Sequence, residues 1–365
     1  MNKQTPIKLG FRMPAEFEKQ ESIWLSWPHN SVTWPTQLKE VENIYVQFIK
    51  AIHTCQKVNL LVNDDKIQKL VTNKLTAAEI TISQIIFHKI KTADTWIRDY
   101  GPSFVVNDKL KNTTKNVHPN ISNQALAMVK WTFNAWGDKY DDLKEDNKVF
   151  LELNDSLKVH MFKADIVLEG GSIEVNGAGT LLTTEQCLLN KNRNPHLNKE
   201  EIEKYLKDYL NVKNILWLRE GIVGDDTDGH IDDIARFVNK STVVCCVEED
   251  KDDDNYYLLK ENYELLLKMK DQDGSKLNVV QLPMPGDVSV VDENGSQVRL
   301  PASYANFYIG NEAVVVPIFG HKNDNKALDI IQKLFPQRKV VGINCKALVY
   351  GLGTLHCCSQ QEPAV

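Results

Sequence analysis

The sequence predicts an α/β protein in which five β-rich units, each with one helix, stand as blades around an axis, so that residues far apart in the chain meet at the centre. Three observations lead there. Segments 174–184, 236–246 and 307–317 share one layout of strand, short polar turn and apolar strand. Conspicuous clusters recur at fairly even intervals: 71 residues from Pro28 to Asp99, 70 to Glu169, 61 to His230, 74 to Tyr304 and 53 to Cys357. Between the β-rich runs lie segments with apolar residues at helical spacing, and recurrence of this kind is the mark of repeat-built folds.

In order, Ser22-Ile-Trp24-Leu-Ser-Trp27-Pro28 reads as a short aromatic strand closed by proline. Leu38, Val41, Tyr45, Phe48 and Ile52 follow at helical spacing. Val58–Val62 suits a buried strand, 64–73 a helix, and 81–90 is β-rich again. A polar, Asn- and Lys-rich insert at about 107–124 is expected to be a flexible loop. Asn176-Gly177 marks a hairpin turn, and Asn198 with Glu201 forms a capping box for a helix that buries Ile202, Tyr205, Leu206 and Tyr209. Ile215–Leu218 is a strand, and Asn239-Lys240 turns a further hairpin. The acidic run 248–254 is expected to start a helix whose inner face holds Tyr256, Leu259, Tyr263, Leu266 and Leu267. Tyr304–Ile309 and Ala313–Pro317 repeat the hairpin, Asp324 caps a last helix, and 340–350 is β-rich up to a Gly351-x-Gly353 bend before Cys357.

Composition narrows the function. At 365 residues the chain has room for one large domain or two ordinary ones. A net charge of −6, with no basic run, argues against a nucleic-acid partner. The polar start Met1-Asn-Lys-Gln lacks a signal-peptide core and no stretch suits a membrane span, so a cytoplasmic protein is expected. Seven cysteines without a C-x-x-C pair suggest reduced thiols rather than disulfides or a zinc site.

Four polar clusters carry chemistry: Arg98-Asp99, Glu169-Gly-Gly, His230-x-Asp232 and Cys357. Cysteine with histidine is a nucleophile and base pair. Carboxylates around a thiol raise its pKa, which makes sense once a cation arrives to offset them. A guanidinium fits, being planar, permanently charged and matched to paired carboxylates. Each residue also has a plainer reading: Asp99 as a cap, Glu169 as a solvated turn, Cys357 as a buried apolar residue. His230 and Asp232 also suit a metal, although no third histidine is convincingly placed, and Asp226-x-Asp228-Gly229 imitates a calcium loop but has Ala235 where the closing Glu belongs.

The segments Gly10-Phe-Arg-Met-Pro-Ala-Glu, Trp96-Ile-Arg-Asp-Tyr-Gly-Pro-Ser-Phe, Leu168-Glu-Gly-Gly-Ser, Thr183-Thr-Glu-Gln-Cys-Leu-Leu-Asn with Arg193-Asn-Pro195, Asp228-Gly-His-Ile-Asp-Asp and Leu355-His-Cys resemble the agmatine deiminase family, in order and through nearly the whole chain. The resemblance implies a single domain over 1–365 with the five-bladed α/β propeller of guanidine-modifying enzymes (pentein-type) and no metal or organic cofactor. It implies hydrolysis of agmatine to N-carbamoylputrescine and ammonia, in putrescine biosynthesis, with a homodimer suggested by family analogy. By motif position, Cys357 resembles the nucleophile that forms an amidino-cysteine (thiouronium) intermediate and His230 the general acid and base. Asp99 and Asp232 resemble the guanidinium clamp, while Glu169 completes the clamp or orients His230. Trp96 and Trp136 would line the channel for the aliphatic chain, and Cys358 would be structural. Leu352 stands where the family has a glycine, and a positive φ there would strain the bend. The competing readings are an arginine or peptidyl-arginine deiminase, which needs a partner for the substrate carboxylate such as Arg12, and a non-catalytic binding protein on the same fold.

Overall fold

The computed structural model describes residues 4–110, 124–291 and 294–365. Of the insert expected at 107–124, residues 111–123 lie outside this range, while its base is tied by the Asn107 amide to the Ala125 carbonyl at 2.8 Å. Among the described residues, five mixed sheets share one plan: an antiparallel pair, then a helix that carries the chain to a parallel third strand. The second sheet orders Ser103–Val106, Leu126–Thr132 and His160–Val167; the third, Glu174–Val175, Thr180–Thr184 and Asn214–Leu218. The fourth has Ala235–Phe237, Thr242–Val247 and Asn278–Pro283, and the fifth Tyr308–Ile309, Ala313–Ile318 and Lys339–Asn344. In the first sheet the antiparallel partner of Gln20–Ser26 is the C-terminal strand Ser359–Pro363, with Lys57–Val62 and Ile85–Lys89 on the other side.

The crossover helices are amphipathic as the spacing requires. Leu38–Ile52 buries Val41, Ile44, Tyr45, Phe48, Ile49 and Ile52, a stripe of residues three and four apart. The capping box at Asn198 and Glu201 is formed, and Gly177 takes φ +68° in its turn. Four expectations need correction. Residues 248–254 precede the helix Asn255–Leu266 as turns, because Glu248, Asp250 and Asp253 accept neighbouring backbone N–H groups instead of extending it. Leu267 lies beyond that helix and is exposed; the inner face instead carries buried Asn255 and Asn262, which hold the Val223 and Arg219 amides. The strand expected over 340–350 ends at Asn344. Asp324 sits just inside its helix, where its carboxylate collects the amides of Phe319, Gly320 and His321.

One plan repeated five times leaves five equivalent connections, each from the last parallel strand of one sheet into the next sheet, the first sheet having a fourth strand, Ile85–Lys89. Asp99, Glu169, His230 with Asp232, Asn306 and Cys357 each lie in one of them. Glu16, which is buried, ties the first and last of these connections to the fourth and fifth sheets. Its carboxylate accepts the Ile309 amide at 2.7 Å and faces His356 Nε2 at 2.7 Å, Arg236 Nη2 at 3.1 Å and Arg98 Nη2 at 3.3 Å. Burial works against its charge, but His356, Arg236 and Arg98 hold the carboxyl below the usual range.

Removing one member of such a group strands the others. Glu16→Ala is expected to lower unfolding free energy by about 3–5 kcal/mol. Glu18→Ala, which removes a half-exposed pair with Arg12, should cost ~0–1 kcal/mol; urea unfolding of both checks this. Because the folded pKa of Glu16 is depressed, its contribution is present above the ordinary Glu value and is lost as pH falls through the folded value.

Candidate active site

Cys357 is buried in a turn between the Gly351-Leu352-Gly353 bend and the strand Ser359–Pro363. Its carbonyl accepts the Arg98 amide at 3.1 Å, and Arg98 reaches on to the His356 carbonyl and to Gln361 Oε1. The turn that carries Cys357 is thereby fixed to the Trp96–Tyr100 segment. Gly353 allows close approach, since a Cβ there would lie 2.6 Å from the Trp96 ring. Leu352 has φ +68°, ψ 22°, the left-handed conformation that the sequence flagged as a strain, and its side chain helps to line the pocket.

Asp99 is held on both oxygens, Oδ1 accepting the Gly171 amide and Oδ2 the Trp136 indole, each at 2.9 Å. Trp136 gets there by an unusual route: Ala135, Trp136, Gly137 and Asp138 all have positive φ, a left-handed turn closed by the Gly137 amide on Asn134 Oδ1. His230 Nδ1 lies 3.8 Å from Asp99 Oδ1, and His230 Nε2 points the other way, 4.0 Å from Glu169 Oε2. Glu169 is fully buried and tied through Oε1 to Arg193 Nε at 2.7 Å. Asp232 Oδ2 faces His356 Nδ1 at 2.6 Å and Cys357 Sγ at 3.9 Å, while its Oδ1 has no donor. The five residues singled out in the sequence are therefore together.

A pocket of about 200 Å³ opens above the thiol, lined by Trp96, Trp136, Asp99 and Cys357 among others. Glu169, His230 and Asp232 form the layer beneath. The lining carries four aspartates, Asp94, Asp99, Asp142 and Asp226, and no lysine or arginine among the described residues. Arg12 is elsewhere, paired with Glu18 and Asp108. The calcium-like run is committed to protein donors: Asp225 to the Gly229 and His230 amides, Asp226 to Tyr140, and Asp228 to Asn192 and Arg193. Cys358 is buried against Tyr45.

Reasoning from the sequence missed Asn306. Its Oδ1 accepts Thr354 Oγ1 and the His356 amide, which turns Nδ2 toward Asp233 Oδ1 at 3.0 Å and Cys357 Sγ at 3.1 Å. The repeat put Tyr304 at this point of the fourth unit, two residues short. The signal available was the polar pair Ser303 and Asn306 inside an otherwise apolar run. Two sets of donor atoms are close enough to hold a cation: Glu169, Cys187 and His230, and Asp232, Asp233 and Cys357.

Burial, then Asp232, Asp233 and Asp99, push the Cys357 thiol well above its usual range. Burial also lifts Asp99 to about 6. For His230 burial acts downward, but Asp99, Cys187 and Asp232 outweigh it and raise the imidazole. The resting pair is thus thiol and imidazolium. Alkylation by neutral iodoacetamide is accordingly expected to be slow at pH 7 and to climb about tenfold per pH unit above it; rates measured from pH 6 to 9 that are already flat at 7 would contradict this.

The model of the Porphyromonas-type peptidyl-arginine deiminase family matches residues 12–363. An agmatine deiminase of Medicago truncatula is 36% identical, with 99% of this chain and 98% of that protein covered. Among solved structures, the agmatine deiminase of Enterococcus faecalis superposes with a TM-score of 0.88 at 37% identity, covering 100% of this chain and 99% of the other. A C. jejuni agmatine deiminase with substrate bound gives 0.80 at 34%, covering 96% of each. An amidinotransferase of Microseira wollei, 10% identical with a TM-score of 0.51 and 97% of each chain covered, shares the fold. With its fold, its site and these relatives in agreement, the chain belongs to the Porphyromonas-type peptidyl-arginine deiminase family, alongside the agmatine deiminases.

Proposed function

We propose that this protein is an agmatine deiminase, converting agmatine and water to N-carbamoylputrescine and ammonia. The observation that carries the reading is a buried thiol ringed by carboxylates, one with an oxygen lacking any donor, at the floor of a pocket with acidic walls. A substrate that is cationic at both ends matches such a pocket. Free arginine would bring a carboxylate to walls lined with aspartate, and peptidyl-arginine would lack the second charge. We read the five sheets as the blades of a five-bladed propeller in one catalytic unit over 1–365, because all five connections supply a residue to one site. We also read it as a cytoplasmic enzyme acting on a free small molecule, without a nucleic-acid partner and with a homodimer as its assembly; no described helix is long and apolar enough to cross a membrane.

In this reading Asp99 and Asp232 clamp the guanidinium, with Asp232 Oδ1 receiving the N–H donors it lacks. The cation offsets the charges that hold Cys357 protonated, and the thiol gives up its proton to solvent, His230 being protonated already. Asn306 Nδ2, already 3.1 Å from sulfur, supports the thiolate. Sulfur bonds to the central guanidinium carbon, and His230 delivers a proton from Nδ1, the nitrogen facing Asp99, to the departing nitrogen, which leaves as ammonia. The amidino-cysteine is then attacked by water that has lost its proton to His230. The C–S bond breaks, the thiolate returns, and the ureido product leaves. Glu169, behind the ring, orients His230 instead of touching substrate. Trp96 and Trp136 flank the aliphatic chain.

Ammonia release from agmatine, arginine and a peptidyl-arginine substrate tests the assignment. Turnover is expected with agmatine, reduced by at least about 10³-fold in Cys357→Ser; equal turnover of arginine, or an active Cys357→Ser, would overturn it. Gly171→Ala should also abolish turnover with the fold intact by circular dichroism. Its Cβ would stand 2.6 Å from His230 Nδ1 and 2.9 Å from Asp99 Oδ1, in the space the guanidinium needs.

A further inference from the structure

Behind His230, on the side away from the pocket, Cys187 joins the contact between Glu169 and His230 and has no part in the steps above. Glu169, Cys187 and His230 each offer a ligand atom within 4.8 Å of the other two, and all three residues are buried. Two of these atoms, Glu169 Oε2 and His230 Nε2, lack any hydrogen-bond partner. Unpaired buried polar atoms are rare and call for a reason. Here both border a thiol. Cys187 is seated by the Thr184 cap of the short helix Glu185–Leu188, and the His230 backbone by Asp225. Arg193 occupies only the other oxygen of Glu169.

Thiolate, imidazole and carboxylate together are a zinc donor set, and zinc holds such atoms at roughly 2.0–2.3 Å, so that they stand about 3.5 Å from one another. The 4.0 Å from Glu169 Oε2 to His230 Nε2 is close to that spacing. We propose that Glu169, Cys187 and His230 form an inhibitory site for a thiophilic divalent cation, zinc above all. On binding, the Cys187 thiol and the His230 imidazolium each release a proton to solvent; His230 keeps the proton on Nδ1 and gives the Nε2 lone pair to the metal. Glu169 supplies Oε2. The two negative charges of Cys187 and Glu169 balance the ion.

The consequence rests on the acid–base role of His230 given above. A ring bound through Nε2 is no longer an imidazolium: giving its one remaining proton, on Nδ1, to the leaving ammonia would leave an imidazolate, so it is a far weaker acid, while Asp99 and Asp232 remain available to substrate. Inhibition should therefore lower kcat with little change in KM. An ion at Asp232, Asp233 and Cys357 would instead compete with agmatine. Because the three residues are closed to solvent, onset should be slow.

Binding is tested apart from turnover by adding cobalt(II) to the Cys357→Ala protein, in which the nucleophile is gone. A thiolate-to-cobalt absorption band at one metal per chain is expected. It should vanish in Cys357→Ala/Cys187→Ser and in Cys357→Ala/His230→Ala, each shown to be folded by circular dichroism. No band, or one that survives both second substitutions, overturns the site. In the otherwise unmodified enzyme, zinc is expected to inhibit slowly and reversibly by chelator. Cys187→Ser should raise the half-inhibiting concentration by about tenfold or more, each variant being scored against its own metal-free rate. An unchanged value, or inhibition that agmatine relieves, points to Cys357 and refutes the proposal. A cobalt band without zinc inhibition would keep the site but remove its regulatory consequence, and with it the role given to His230.

Discussion

A single carboxylate, Glu16, holds the molecule's centre together. It lies ahead of the first sheet and meets groups from the connection between the first and second sheets, the fourth and fifth sheets and the C-terminal turn: Arg98, Arg236, the Ile309 amide and His356. Arg236 in turn reaches Glu174 and the carbonyls of Ala305 and Phe307. Burying charges is costly unless each is paired and hydrogen-bonded, and this arrangement meets that condition only when all the contributing segments are in register. Through His356 the same group sets Asp232, and through Arg98 the turn that carries Cys357.

The pocket above it is built on the opposite rule. Around Glu16 cations match carboxylates; around Cys357 the carboxylates outnumber the fixed cations, and Asp99 is pushed up to about 6, by burial first and then by Asp232 and Glu169. The missing positive charge is what a guanidinium brings. In the proposed function, substrate binding and activation of the Cys357 thiol are then one electrostatic event, which keeps a buried thiol unreactive until its proper target is in place.

Much of this was legible in the sequence. The recurrence of clusters carried the five units, and Asp99, Glu169, His230, Asp232 and Cys357 announced themselves because ionisable groups beside glycines are conspicuous. Asn306 was not legible: a neutral amide in the run Tyr304–Phe307 has no charge to mark it, and its role depends on a contact with sulfur 51 residues away. Glu16 and His356 are 340 residues apart, a pairing that no local pattern encodes. The left-handed turn at Trp136 was equally hidden, since only Gly137 among its four residues is a usual occupant of that conformation. The acidic run 248–254 misled because carboxylates serve loop amides as readily as helix ends.

The antiparallel pairing of Ser359–Pro363 with Gln20–Ser26 has a kinetic meaning. It joins the two ends of a long chain, and contacts of such sequence separation form late because the entropy of closing the loop must be met before they return any stabilisation. Cys357 stands two residues before the closing strand. Assembly of the site around Cys357 is thereby coupled to closure of the fold, and a chain whose ends have not met lacks the set of groups that the site brings together.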